Sequence, residues 1–260
     1  MQTAHMIAAR SQSKSRSVTP NRAAQEDGRS QRSTPQLRNY EIAHLTSDGR
    51  IIESKQLAPA HPAFENAFSA FSRGLVFETE HGQIAIEDLL PGDRLKIAGG
   101  GYRTLLWKGS IAAHPNEPCH GPRLMRISAD AFGFDKPSRD IVFGKSARIF
   151  QSSPRIRSLT GLDGALVPVT DLEDGVTAIG INPISTVQMF HLGLARHERL
   201  IANGIEVESY HPGVAGELPL RGVSLRVFES MFPQIMELAD FGPLRHQRLR
   251  LEQLDRMSAA

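Results

Sequence analysis

Short runs of β-branched and aromatic residues, separated by turn-forming residues, most constrain the fold of this chain. They occupy residues 73–210. The Asn203-Gly204 pair lies between two such runs and predicts a tight β-hairpin, because both turn positions favour positive φ. His81-Gly82 predicts a second hairpin tip, so His81 is interpreted as a turn residue and not as a catalytic one. We therefore expect an all-β domain.

A short pattern occurs twice within this region. Residues 86–92 and 169–175 both read apolar-x-Asp-Leu-x-x-Gly, and a strand-like run follows each copy. The repetition fits two similar β halves, with chance similarity of two short turns as the alternative. An aspartate can accept backbone N–H bonds in a turn, and a glycine can adopt angles that other residues resist. Equivalent structural roles are therefore predicted for the aspartate and the glycine of each copy: Asp88, Gly92, Asp171 and Gly175.

The charge of the chain is concentrated at its start. The 260 residues carry a formal net charge of +2, yet residues 1–38 alone hold seven Arg or Lys against two acidic residues. This segment has no aromatic residue before Tyr40. It cannot bury enough apolar surface to offset its ordering entropy, so a disordered basic arm is predicted. Because the excess positive charge lies in the arm, we expect no nucleic-acid binding by the folded part.

Targeting and membrane segments are not expected. Arg10 interrupts the apolar start, which argues against a secretory signal, while an organellar transit peptide is the alternative for an Arg- and Ser-rich beginning. The uncharged residues 175–195 include Pro183 and several polar side chains, so they do not predict a spanning helix. A cytoplasmic protein is the resulting expectation.

The sequence changes character after residue 213. Residues 225–231 and 234–238 have helical spacing, and residues 244–257 read as a basic amphipathic helix. Such a helix is interpreted as a docking element or a solvated cap in preference to a membrane binder. The basic arm and this last helix are the predicted contact points for a protein partner whose identity the sequence does not give.

Reactive side chains are sparse. Cys119 is the single cysteine, which excludes an internal disulfide and a Cys-rich zinc site. It is interpreted as an inert loop thiol, because adjacent His120 points to the opposite side of an extended segment. His197 and Glu198 are the nearest approach to a metal pair, and as neighbours they diverge. No hydrolase or metal-enzyme motif occurs, so we expect no metal and no cofactor.

Both ends of the β region resemble a known family. Residues 71–79 with Gly82, followed by residues 86–93, are similar to the opening of a Hint domain, the module shared by hedgehog proteins, inteins and many bacterial proteins. Residues 190–210 resemble the end of the bacterial version. The resemblance implies a pseudo-two-fold, all-β horseshoe. The predicted organisation is therefore a disordered arm (1–38), a lead-in (39–67), a Hint-like β domain (68–213) and a helical extension (214–260).

The resemblance also implies where self-processing chemistry would lie. An active Hint domain begins with a Cys or Ser that attacks the preceding carbonyl, and a Thr/Ser-x-x-His turn assists at the scissile amide. Inteins end on a His-Asn pair that cyclises. The matching positions here are Ala70 for the nucleophile, Gly144 and Ala147 for the turn, and Glu208 and Ser209 for the final pair. None of these residues carries the required group.

Two functions follow from this comparison. The favoured hypothesis is a Hint domain without autoprocessing, which acts as a β scaffold or interaction module. The alternative is a self-cleaving autoprotease that performs the acyl shift with Ser72 or Ser69 as a substitute nucleophile and His191 as a substitute imidazole. The attack geometry tolerates little displacement, which disfavours the substitutes. His191 is interpreted as a structural histidine.

Overall fold

The computed structural model describes residues 36–115, 124–214 and 218–258. Cys119 and residues 1–35 of the predicted arm lie outside the described residues. The first strand begins at Leu37, so its first two residues fall within the predicted arm.

The described residues form fifteen β-strands, and every pairing between them is antiparallel. In chain order they are β1 (Leu37–Leu45), β2 (Ile51–Pro59), β3 (Phe71–Ser72), β4 (Val76–Thr79), β5 (Gly82–Ala85), β6 (Arg94–Lys96), β7 (Tyr102–Ala113), β8 (Leu124–Ile127), β9 (Ile141–Phe143), β10 (Arg148–Gln151), β11 (Ala165–Pro168), β12 (Ala178–Ile181), β13 (Val187–Leu194), β14 (Arg199–Ala202) and β15 (Ile205–Glu208).

Helices are short in the described part of the chain. They are α1 (Pro62–Asn66), α2 (Pro154–Thr160), α3 (Gly222–Glu229) and α4 (Leu251–Ser258), with 3₁₀ turns at Val169–Leu172 and Leu238–Phe241. No helix among these described residues is long and apolar enough to cross a membrane.

The strands form one hydrogen-bonded path. Its order is β11-β10-β15-β14-β4-β6-β7-β13-β3-β9-β8-β12, with the β1–β2 hairpin joined to β7 and β5 joined to β4. The two longest neighbours on the path, β7 and β13, pair antiparallel from Val187 with Ala113 to Leu194 with Leu105. Each of these strands comes after one copy of the sequence repeat. The predicted all-β class is confirmed.

The lead-in contributes a hairpin that the sequence interpretation missed, since no strand was predicted before residue 73. Strands β1 and β2 pair along their whole length, and β1 also pairs with β7. The turn between them contains Asp48-Gly49, with Gly49 at φ 81°. An Asp-Gly pair flanked by apolar residues is a hairpin signal, so this element was readable from the sequence.

The C-terminal segment differs from the prediction. Residues 234–238 form no α-helix, and the helix predicted over 244–257 begins only at Leu251. The reason is a backbone pairing: Leu166 donates its N–H to the Gln247 carbonyl (2.8 Å), and Leu249 donates its N–H to the Leu166 carbonyl (3.0 Å). These bonds hold residues 247–249 extended beside β11, which is incompatible with a helix there.

A shared apolar core joins the lead-in and the C-terminal segment to the sheet. Trp107 on β7 is fully buried, and its Nε1–H donates to the Met231 carbonyl at 2.8 Å. Its ring lies 5.1 Å from that of Phe68 and 4.9 Å from that of Phe232. Aromatic contacts of this kind add to the free energy gained from burial. A second core cluster, around Phe71 and Phe143, fills the remainder of the β region.

Candidate functional site

Ala70 lies in the interior, immediately before β3. Its side chain is fully buried. Its N–H donates to the Phe190 carbonyl (3.0 Å), and its carbonyl accepts the N–H of Gly144 (2.9 Å). The structure therefore brings together the two sequence positions, 70 and 144, at which the Hint resemblance implied a nucleophile and a polar turn. A methyl group occupies the first of them.

The turn before β10 closes directly on the Ser69–Ala70 peptide bond. Ala147 is buried and donates its N–H to the Gly144 carbonyl (3.1 Å), which forms the turn. A Cβ atom at position 144 would lie only 1.8 Å from the Ser69 carbonyl oxygen. The Ser69 carbonyl thus occupies the space that a Thr or Ser side chain at position 144 would need, and neither fits without a backbone shift.

The substitute nucleophiles lie on either side of Ala70. Ser69 is half-buried, and Ser72 is buried with its hydroxyl donating to the Arg73 carbonyl at 3.3 Å. A hydroxyl attacks only the carbonyl that it can approach to about 3 Å in the correct orientation. Neither serine has an imidazole as a hydrogen-bond partner in the described part of the chain.

His191 lies on β13 between two aromatic rings. Its ring centroid is 5.2 Å from those of Phe71 and Tyr210. Its Nδ1 accepts the N–H of Leu192 at 3.1 Å, so the neutral ring carries its proton on Nε2. Burial lowers the pKa of His191 to about 3, which keeps the ring neutral near pH 7. Burial also raises the pKa of Tyr210.

A buried ionic group that the sequence did not predict surrounds Glu208, and we call Glu208, His197, Arg148 and Arg248 the Glu208 cluster. Glu208 contacts His197 Nε2 (2.7 Å), Arg248 Nε (2.7 Å) and Arg148 (3.3 Å). Burial alone would raise the pKa of Glu208, but the His197 hydrogen bond and the two arginine charges outweigh it and lower the pKa to about 2. The carboxylate is therefore ionised at neutral pH.

The backbone of the C-terminal segment orients His197. Its Nδ1 accepts N–H bonds from Arg245 (3.2 Å) and His246 (3.4 Å), so Nε2 carries the proton that is donated to Glu208. Burial lowers the pKa of His246 to about 4, and the charge of Arg199 acts in the same direction. His197 and Glu208 lie on either side of the β14–β15 hairpin, but Arg148 and Arg248 are 60 and 40 residues away from Glu208, and no local pattern connects them to it.

His197 and Glu198 point to different partners. Glu198 pairs with Arg245 at 2.8 Å, and its N–H donates to the hydroxyl of the fully buried Ser209 at 3.0 Å. Ser209 thus acts as an acceptor inside the hairpin. Within residues 36–115, 124–214 and 218–258, no group of three or more His, Cys, Asp or Glu side chains could hold a metal ion.

The predicted turn glycines all have positive φ: 109° at Gly92, 75° at Gly175 and 81° at Gly204. Asn203 also has positive φ, at 46°, and its Oδ1 accepts the N–H of Val76 at 2.9 Å. His81 is exposed in the turn between β4 and β5.

The two repeat aspartates differ, contrary to the expectation of equivalent roles. The Asp171 carboxylate accepts hydrogen bonds from Arg250 (2.7 and 3.2 Å) and from the Leu251 N–H (3.0 Å). Asp88 is exposed, and its carboxylate accepts no hydrogen bond from the described residues. The difference arises because the C-terminal segment packs against the second copy, where Arg250 and Leu251 reach Asp171, and not against the first copy.

Comparison with known proteins supports one assignment. A family model described as the Hint domain matches residues 69–214, which is more than half of the chain. The solution structure of a bacterial intein-like domain from Clostridium thermocellum is similar, with a TM-score of 0.40 and 12% identity over 55% of this chain and 99% of that one. No curated protein matches the chain. The family match confirms the resemblance read from residues 71–93 and 190–210: the chain belongs to the Hint domain family.

Proposed function

We propose that this chain is a Hint domain that does not process itself and that serves as a β scaffold for binding. The observation that carries the proposal is which groups surround the Ser69–Ala70 peptide bond. A buried methyl group stands where a nucleophile is needed, and the backbone of Gly144 lies against the Ser69 carbonyl. The family match begins at residue 69, which supports this placement of the processing position.

The available substitutes do not favour self-cleavage. Ser72 would have to attack the Phe71 carbonyl, yet its hydroxyl donates to the carbonyl on its other side, that of Arg73. A general acid works best when its pKa lies near the working pH. The pKa of His191, at about 3, is far below that range. Loss of a nucleophile or acid costs several orders of magnitude in rate.

The contacts of α4 decide which of the two expected contact points is free for a protein partner. Leu254 on α4 is buried and packs in one cluster with Ile156 and Ala165. The apolar face of α4 is thus used within the chain, and the helix predicted as a docking element docks on its own domain. Of the two contact points expected from the sequence, the basic arm is the one that we propose for a protein partner.

The test is the intact mass of the full chain over a day, with and without hydroxylamine or a strong thiol. We expect a single unchanged mass in every condition, because no atom of residue 70 can form an ester or thioester for these reagents to attack.

A fragment that begins at residue 69, 70 or 72 would contradict the proposal. The variants Ser72→Ala and Ser69→Ala are matched controls in that case, since each removes one hydroxyl beside Ala70. Loss of the fragment in one variant alone would identify the nucleophile.

A further inference from the structure

A cavity of about 310 Å³ lies beside the turn before β10, and we call it the polar cavity. Its wall includes Lys145 and Ser146 from the turn before β10, and Arg148 and Glu208 from the Glu208 cluster. Residues outside the family match complete it: Asn66 at the end of α1, and Leu218 and Arg248 from the C-terminal segment. The lead-in and the extension of this particular chain therefore form part of the wall.

Positive charge exceeds negative charge in this wall. Lys145, Arg148 and Arg248 line the polar cavity, and Glu208 is the single carboxylate among its lining residues. Glu208 already accepts from Arg248, Arg148 and His197. Lys145 makes no ion pair or hydrogen bond with the side chains that the structure describes. An unpaired cation in a half-buried wall attracts an anion more strongly than a fully solvated one.

Two buried polar atoms of the wall lack partners. Ser146 Oγ and Asn66 Oδ1 are shielded from solvent and make no hydrogen bond with the described residues. Both belong to residues that line the polar cavity. Buried polar groups are nearly always satisfied, so an orphaned hydroxyl and an orphaned amide oxygen in two residues that line one cavity indicate a missing partner. The Ser146 hydroxyl can donate to a carboxylate oxygen, whereas Asn66 Oδ1 is an acceptor and needs an N–H or O–H donor.

Part of the remaining wall is apolar and small. Ala63, Ala67 and Leu218 line it, together with the rings of His191, Tyr210 and His211. The volume is at the lower end of ligand sites, which suits a molecule of a few carbon atoms. We propose that the polar cavity binds a small organic carboxylate with a short apolar chain, its carboxylate held by Lys145 and Ser146. The proposal rests on the proposed function, since a non-processing domain leaves this space free for a ligand.

The experiment is calorimetric titration of the full chain with butyrate, and with inorganic phosphate and butylamine in separate arms. We expect saturable binding of butyrate and none of butylamine. Lys145→Met should weaken butyrate binding at least tenfold, and Ser146→Ala several-fold. Lys55→Met is the matched control with unchanged affinity, because Lys55 is exposed and pairs with Glu41 away from the polar cavity.

Several outcomes would overturn the proposal. They are no heat of binding with butyrate at tens of millimolar, equal affinity in Lys145→Met, and tighter binding of phosphate than of butyrate. Circular dichroism of each variant verifies that it is folded. The intact mass of the same sample reports on self-processing separately, so failure of the proposed function and failure of the carboxylate site are distinguishable.

Discussion

The two copies of the repeated turn have the same sequence pattern but are held by different polar contacts: an acidic side chain accepts in the second copy, and a lysine donates to the backbone of the first. In the second copy, Asp171 points inward and binds Arg250 and the N–H of Leu251, while Val169–Leu172 forms a 3₁₀ turn. In the first copy, Asp88 is exposed, and backbone carbonyls accept hydrogen bonds from the Lys108 side chain.

A half-buried cation, Lys108, holds the backbone of that first copy. Lys108 on β7 directs its ammonium group to the carbonyls of Glu87 (3.0 Å), Leu89 (2.5 Å) and Ile86 (3.5 Å). Burial lowers the pKa of Lys108, and nearby carboxylates, Asp88 among them, act in the opposite direction. The shared pattern thus determines the local backbone, including positive φ at Gly92 and Gly175. The segment packed against each turn determines the polar contacts of that turn: β7 for the first copy and the C-terminal segment for the second.

The largest effect is expected from Lys108→Met. The change keeps the length of the side chain but leaves three carbonyls without a charged donor, which should lower the free energy of unfolding by about 2 kcal/mol. Urea denaturation of the variant against the parent measures this difference.

Lys96→Met is the matched control on neighbouring β6. Lys96 forms a partly exposed ion pair with Glu78, and such pairs contribute little to stability because solvent screens them. Equal destabilisation by the two variants would show that the carbonyl contacts of Lys108 are not what stabilises the first copy.

A smaller effect is expected from Asp171→Ala, about 1–2 kcal/mol, because it removes the acceptor at the start of α4 and the partner of Arg250. Hydrogen exchange should become faster in residues 251–258, whereas the strands around β7 should be unchanged. In a double-mutant cycle, Arg250→Ala should add little to Asp171→Ala. Full additivity of the two variants would contradict the direct contact.

The fold class could be predicted because its signals are local. Asn203-Gly204 and the two repeat glycines each require a particular backbone angle, which a short stretch of sequence reveals. The helix predicted over 244–257 forms only from Leu251 onward. Its first residues were predicted wrongly because residues 247–249 pair with Leu166 on β11. That contact spans about 80 residues of sequence, and no helical periodicity contains it.

The candidate site also contains residues that short motifs reveal and contacts that only the folded chain reveals. Ala70, Gly144 and Ala147 were found through resemblance to family motifs, each of which is a short string. The contacts of Glu208 with Arg148 and Arg248 join three distant segments, two of them on strands and one in the irregular C-terminal part. An ionised buried carboxylate is understandable only once these partners are placed.

The smallest effect is expected from Asp88→Ala. The carboxylate is exposed and accepts no hydrogen bond from the described residues, and its attraction to Lys108 is screened by solvent. The free energy of unfolding should change by no more than about 0.5 kcal/mol, as for surface substitutions without specific contacts. Urea denaturation at low and high salt checks this, because any residual effect should vanish as salt screens the charge. A loss comparable to that of Asp171→Ala would mean that the two copies are equivalent after all, with Asp88 bound to its turn in solution.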